Sequence, residues 1–345
     1  MRRRSRGNCS SSSSGLRSRS STCRTSGCTT NRREEIKMAT LESTEILKVA
    51  AAHRSRQETL RRVGLIILQI VMTLVLITFL GPTLWMVSSS LKARTEIFAY
   101  PIVWIPETPQ WGNYVQAMTM MPFLKFAINT FVISILTVVG TVLSCSMVAY
   151  SFARLKWPGR DLFFSLLLAT MMLPEVVTLI PMFIEFRWLG WTKPGTVFGI
   201  LPLNFLPITV PYWLALSPLY VFLLRQFFKG IPIELEEAAL IDGANRLQIL
   251  FRIILPLSKP VLATVAVFSF LQAYNDFLQP LIYLNGQDNW TLALGLRAMN
   301  DVQQTGQWEL LFAASTVVLI PVLLIFIFAQ RYFVQGIATT GFGGR

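Results

Sequence analysis

Charge is what this chain has least of. Only 14% of its 345 residues are Asp, Glu, Lys or Arg, against 53% hydrophobic. A soluble chain carries about 25% charge, so this composition excludes an ordinary soluble domain and points to a membrane protein. Histidine occurs once, at His53, outside every long apolar run, and Asp276 is the only aspartate inside one. That scarcity removes the metal cluster or aspartate pair that an intramembrane hydrolase needs. Of the four cysteines, Cys9, Cys23 and Cys28 lie in the N-terminal tail and Cys145 in an apolar run, so neither a disulfide framework nor a zinc site emerges. No G-x-x-x-x-G-K-[ST] phosphate loop is present. Any ATP-driven work would therefore need a separate polypeptide, and this chain is expected to be no enzyme and to bind no cofactor or metal.

The formal net charge is +13, unevenly spread. Residues 1–37 carry ten basic and two acidic residues, leaving a surplus of only five positive charges on the remainder. The basic balance thus describes a tail and gives no argument for nucleic acid. That tail is Arg- and Ser-rich, cannot bury a core, and is expected to be disordered. It lacks the apolar segment of a secretory signal. Either it is a polybasic arm for anionic lipid, or translation begins at Met38; the second reading is preferred. Residues 1–62 are taken together as a basic cytosolic tail.

Six runs approach the ~20 apolar residues that cross a bilayer: 63–87, 126–153, 162–184, 211–228, 261–284 and 310–330. The fourth belongs to the uncharged segment 194–224, with prolines at 194, 202, 207, 211 and 218, and is expected to be broken or re-entrant. Basic residues set the orientation. The N-terminal cluster, the Arg154/Lys156/Arg160 turn and the loop with Arg225, Lys229, Arg246, Arg252 and Lys259 alternate as cytosolic; 92–122 and 285–309 are then external. The expected fold is an all-α membrane protein with six transmembrane helices and both termini in the cytosol. Its membrane domain spans 63–334, and 335–345 form a C-terminal cytosolic tail. No internal repeat is evident.

One charged island interrupts the apolar pattern, Ile231 to Pro256. Pro232 suits a first helical turn. Glu234, Glu236 and Glu237 complement the positive end of a helix dipole. Ala238 and Ala239 keep the surface low enough for another protein to approach. Asp242-Gly243 signals a turn, with Gly free to take the left-handed conformation. A second short helix is expected over 244–255, closed by Pro256 and Pro260. The island thus predicts two short helices with a bend, presented to water.

The spacing Glu237-Ala238-Ala239, Gly243, Ile253, Leu255-Pro256 resembles the EAA motif of ABC importer permeases, and its loop covers 230–257 here. Further segments resemble the sugar-type permeases, and the smaller of the two permease subunits in maltose and glycerol-phosphate importers in particular. They are Met121-Pro122-Phe123, Ala149 to Arg154 with Pro158-Gly159-Arg160, Val177 to Pro181, Phe222 to Phe228, Tyr274 to Leu278 and Gln330 to Gly336. The resemblance covers 63–336. It implies a type I ABC importer transmembrane domain in a prokaryotic cell membrane, carrying a carbohydrate delivered by an extracellular binding protein. It also implies partners: a second permease subunit, and two cytosolic ATPases that hold ATP and Mg and grip Glu237, Ala238, Ala239, Asp242, Gly243, Ile253, Leu255 and Pro256. The C-terminal tail from Gln335 and Gly336 would reach the ATPases too. Residues 193–204 look inserted relative to the family, at the outer mouth.

Polar groups inside spans are candidates for a pathway. Glu175 falls about 20 Å into the third span by helical rise. It either lines a pathway or serves as a helix-terminal partner beside Pro174. Asn275 and Asp276 lie about 24 Å along the fifth, and the preferred reading is a polar cap near Pro280. Trp188, Trp191, Tyr212 and Trp213 suit stacking on a sugar or interface anchoring equally. An importer for a polyamine, peptide or phosphate stays open, as does an ion-coupled transporter using Glu175.

Overall fold

The structure is a computed structural model that describes residues 61–197, 199, 201–302 and 307–340; for Glu175, 301–302 and 331–340 it describes the backbone alone. The tail, Met38 and His53 lie outside the described residues. Contacts divide the chain after Phe79. The described part of the first unit, 61–79, is helical and exposed throughout. It begins α1, Arg61–Ser90, a 30-residue helix. Its apolar residues run all round the helix, so no single face can turn inward, and the length, about 45 Å, exceeds a bilayer core.

The second unit starts at Leu80. After the short α2 (Arg94–Ile97) and α3 (Gly112–Thr119) comes α4, Phe123–Arg154. Helices α5 (Arg160–Thr170), α6 (Glu175–Trp188), α7 (Leu206–Trp213), α8 (Pro218–Lys229) and α9 (Glu234–Ile241) follow. Then come α10 (Arg246–Ile249), a π turn over Leu250–Ile254, α11 (Leu255–Leu257) and α12 (Lys259–Asn275). The last are α13 (Leu278–Tyr283), α14 (Leu292–Val302) and α15 (Trp308–Thr340).

Four runs among the described residues are long and apolar enough to cross a membrane: Arg61–Ser90, Phe123–Arg154, Leu203–Lys229 and Trp308–Gln330. A fifth is a pair, Arg246–Leu257 and Lys259–Asn275, bent by 84°. The expected third span is instead two helices, α5 and α6. Pro174 is the cause: it keeps the preceding residue out of the helical region and has no N–H to continue the ladder. The fourth does break in its proline-rich segment, but inside the helix expected over 211–228: α7 ends at Trp213, Ala215 takes φ +58°, and α8 starts at Pro218. The fifth stops at Asn275, with α13 as a separate piece.

Helix α4 is the post against which α7, α8 and α12 pack. Its buried face is largely small or hydroxylated: Thr130, Ser134, Thr137, Gly140, Thr141, Cys145, Ser146 and Ala149. Lipid tails give no hydrophobic drive for helix association, so small residues matter because they let neighbours come close. A Cβ on Gly140 would sit 2.5 Å from the Trp213 ring. The Ser144 hydroxyl donates to the Tyr212 carbonyl at 2.8 Å. Thr130 accepts from Leu292 N–H at 2.8 Å and so fixes the start of α14.

Within 193–204, the stretch expected to be an insertion, Thr196–Val197 pairs antiparallel with Leu201–Pro202. Between α1 and α3, the Asn113 amide donates to the carbonyls of Ser90 and Lys92. Lys92, expected in an external polar stretch, is fully buried with its ammonium 3.7 Å from the centre of the Trp85 ring.

Candidate functional site

The charged island forms a distinct element at one end of the core. Its first helix, α9, carries three glutamates in its first turn. At the other end, Gly243 N–H donates to Leu240 C=O at 3.1 Å and Ala244 N–H to Ala239 C=O at 2.9 Å. This is a Schellman closure, which needs a left-handed residue, and Gly243 supplies it with φ +83°. Asn245 then restarts the helix with a reciprocal capping box: it accepts from Gln248 N–H, and the Gln248 side chain accepts from Asn245 N–H, both at 2.8 Å.

What anchors α9 is a buried arginine. Arg154, the last residue of α4, sets its Nε 2.9 Å from Glu236 Oε1, with both side chains under one-tenth exposed. The two atoms are close without aligned hydrogen-bond geometry, so the contact is ionic. The same guanidinium donates through Nη2 to the carbonyls of Phe228 and Ile231. One side chain therefore binds the end of α8, the connecting turn and α9 together. Arg225 on α8 donates to Phe152 C=O at 3.3 Å and sets its guanidinium 3.7 Å over the Phe164 ring.

The motif residues divide into two sets. Ala239 is buried, in one cluster with Tyr150, Leu224, Phe228, Ile249 and Ile254, and Ile253 and Leu255 pack partly against that cluster. The expectation that Ala238 and Ala239 together form an open low surface is thus corrected for Ala239: it is small because it fits beneath its own helix. Glu237, Ala238, Asp242, Gly243 and Pro256 are exposed. Around them stand apolar side chains in water-accessible positions, Ile241 at 86% and Leu247 at 58% exposure. The second helix, expected to be continuous over 244–255, is interrupted by the π turn.

Glu236 and Arg154 were missed as site residues. A signal existed: a charged residue ending a span and turned inward requires a partner, and the island offers three glutamates. Choosing among them takes the phase of α9, which the turn at 230–233 sets.

The pathway candidates do not converge. Glu175 opens α6 directly after Pro174, so the backbone places it at a helix start. Asp276 accepts from Leu278 and Gln279 N–H at 3.1 and 3.3 Å and so caps α13. Asn275 donates to Leu271 C=O in its own helix at 2.8 Å. One turn earlier, Gln272 accepts from the Tyr220 hydroxyl at 3.0 Å and reaches the Tyr212 hydroxyl at 3.4 Å. Gln272 and Asn275 share an exposed side of α12. Trp191 is stacked on Phe186, and Trp188 is 87% exposed. Gln335 and Gly336 continue α15 by backbone, and their side chains lie outside the described residues. Among the described residues no group of three His, Cys, Asp or Glu could hold a metal ion.

The family model described as "binding-protein-dependent transport system inner membrane component" matches residues 140–339, from mid-α4 through the island to the end of α15. The chain belongs to this family. The sulfoquinovosyl glycerol transport system permease of Agrobacterium fabrum is 30% identical over 79% of this chain and 92% of its own length. The diacetylchitobiose uptake system permease of Streptomyces coelicolor is 32% identical over 72% of this chain and 80% of its own. Among solved structures, the bacterial ABC transporter involved in import of the acidic polysaccharide alginate superposes with a TM-score of 0.67 at 23% identity, over 79% of this chain and 97% of that one. That likeness extends the permease fold across most of the described residues.

Proposed function

We propose that this permease carries a carbohydrate or a carbohydrate-like solute across the cytoplasmic membrane as one of two paired permease subunits. An external binding protein delivers the solute, and two cytosolic ATPases drive the cycle. The single observation that carries the coupling role is the island: α9 is locked near its start by Arg154, exposes Glu237 and Ala238 along its length and ends on the exposed Ile241. An apolar side chain 86% exposed at the end of a short helix fits a socket on another protein. The permease names of the relatives support a carbohydrate. The six-span arrangement with both termini inside follows from the alternation of basic loops, with α5 and α6 forming one broken crossing.

The work cycle is a two-state equilibrium. ATP brings the ATPases together, α9 moves with them, and α4 and α8 follow because Arg154 binds all three pieces. Shifting a population from 1:99 to 99:1 takes a differential affinity of about 5.5 kcal/mol. For the pathway, Gln272 and Asn275 are the strongest residues, with Glu175 and Asp276 flanking. An exposed amide on a helix inside the bilayer is costly against lipid, so this side of α12 faces protein or a water-filled passage. Its donors and acceptors match sugar hydroxyls.

The test is purification of the tagged chain from its native membrane in mild detergent, followed by an ATPase assay with the recovered binding protein. A second permease, an ATPase and ligand-stimulated hydrolysis are expected, and Ile241→Glu should abolish stimulation. A chain recovered alone that still transports without ATP would sink the reading in favour of ion coupling.

A further inference from the structure

The turn joining α4 to α5 carries more positive charge than its neighbours neutralise. Lys156, Trp157, Gly159, Arg160, Asp161 and Leu162 line an open cleft of about 390 Å³ there. Asp161 is the only carboxylate among these lining residues. Its carboxyl is held below the usual range first by the hydrogen bond and charge of Arg160, then by the charges of Arg225 and Lys229. Arg160 Nε lies 3.1 Å from Asp161 and Arg225 Nη2 lies 3.9 Å from it. One carboxylate therefore serves three cations, and Lys156 adds a fourth that is exposed.

The walls of the cleft differ in kind. Trp157 packs its ring against Phe152 and Phe163, an aromatic cluster typical of a membrane boundary. From the cleft an apolar strip runs along α5: Leu162, Phe163 and Leu166 are 64%, 55% and 54% exposed. A site for a free anion has no use for such a strip. A headgroup phosphate with two acyl chains below it uses both parts, the cations for the phosphate and the strip for the chains.

We propose that this cleft is a binding site for an anionic phospholipid, seated with its phosphate between Lys156 and Arg160 and its acyl chains along Leu162, Phe163 and Leu166. The turn follows directly on Arg154, so the lipid sits next to the root of α9. The inference rests on the membrane reading of the chain and is independent of the solute. Loss of lipid retention would leave the transport reading standing, and failure to recover an ATPase would leave the lipid site standing.

The intact transporter complex, purified in neutral detergent, is titrated with phosphatidylglycerol or phosphatidylcholine, and bound lipids are counted by native mass spectrometry. Wild type should retain phosphatidylglycerol in preference to phosphatidylcholine. Lys156→Gln/Arg160→Gln should lower phosphatidylglycerol retention about tenfold with phosphatidylcholine unchanged. Should the double variant misassemble, Lys156→Gln alone alters one exposed side chain and should lower it about threefold. Equal retention by wild type and assembled variants overturns the proposal. Displacement of the lipid by inorganic phosphate at equal concentration also overturns it, in favour of a free-anion site. Retention that appears only after the ATPase subunits are stripped away overturns it too, since the cleft is then a protein interface.

Discussion

Replacing Glu236 with alanine leaves the Arg154 guanidinium buried and without its counter-charge. Removing one partner of a buried pair costs about 3–5 kcal/mol, because the remaining charge is uncompensated in a poor solvent. Here the loss should fall near the lower figure, about 3 kcal/mol, since Arg154 keeps the carbonyls of Phe228 and Ile231. That corresponds to roughly a hundredfold shift in the equilibrium by which α9 detaches from its seat. Hydrogen–deuterium exchange of the assembled complex reads this directly: the amides of α9 should lose about two orders of magnitude of protection, with the middle of α4 unchanged. The double variant Arg154→Met/Glu236→Leu replaces the pair with apolar groups of similar size, which is often neutral or stabilising. It also takes the Arg154 donor away from the Phe228 and Ile231 carbonyls, so it should restore only part of the protection. If Glu236→Ala leaves α9 as protected as wild type, the ion pair is not what seats the helix.

Gly243→Ala should destabilise the Schellman closure by about 1–2 kcal/mol; since an added Cβ meets nothing within 4 Å, the cost is backbone strain alone, and Gly243→Asn should cost less. Thermal melting of the complex, with ligand-stimulated ATPase as a second readout, separates the two variants. Gly140→Ala forces the Trp213 ring to move and should cost about 1–3 kcal/mol, with Trp213→Ala partly restoring stability in the double variant; equal melting of Gly140→Ala and wild type would contradict the close approach. At the other end, hydrogen bonding to Lys125 and its charge hold the Asp288 carboxyl below the ordinary aspartate range. Its contribution is present above the ordinary value and disappears as pH falls through the lowered one. A carboxyl NMR titration should show Asp288 titrating below a free aspartate, and Lys125→Met should return it to the ordinary value.

Composition and periodicity sufficed for the long runs α1, α4 and α15, because an apolar stretch of that length with no charge has few other uses. The charged island was legible in more detail. Gly243 in a left-handed turn, the acidic first turn and the stop before α12 all follow from local chemistry. The breaks at Pro174 and within α12–α13 were less legible, since hydropathy averages over a window wider than the two or three residues that interrupt a helix. Ala239 was misread for another reason: a small residue on a short helix serves equally as an open surface or as a filler, and only the position of Tyr150 and Phe228 above it decides. Glu236 was hidden in the same way among three glutamates.

The two ends of the island differ in compliance. At α8–α9, a planar guanidinium ties three points, and they cannot shear past one another without breaking contacts to both charge and backbone. At the far end the ladder is loosened by the π turn, by Pro256 and Pro260, which lack N–H groups, and by the 84° bend before α12. A lever clamped at one root and soft at the other does not translate; it swings. A push delivered at Ile241 would therefore load α4 and α8 directly, and would reach α12 through its packing on α4 and not through the softened far end of the island.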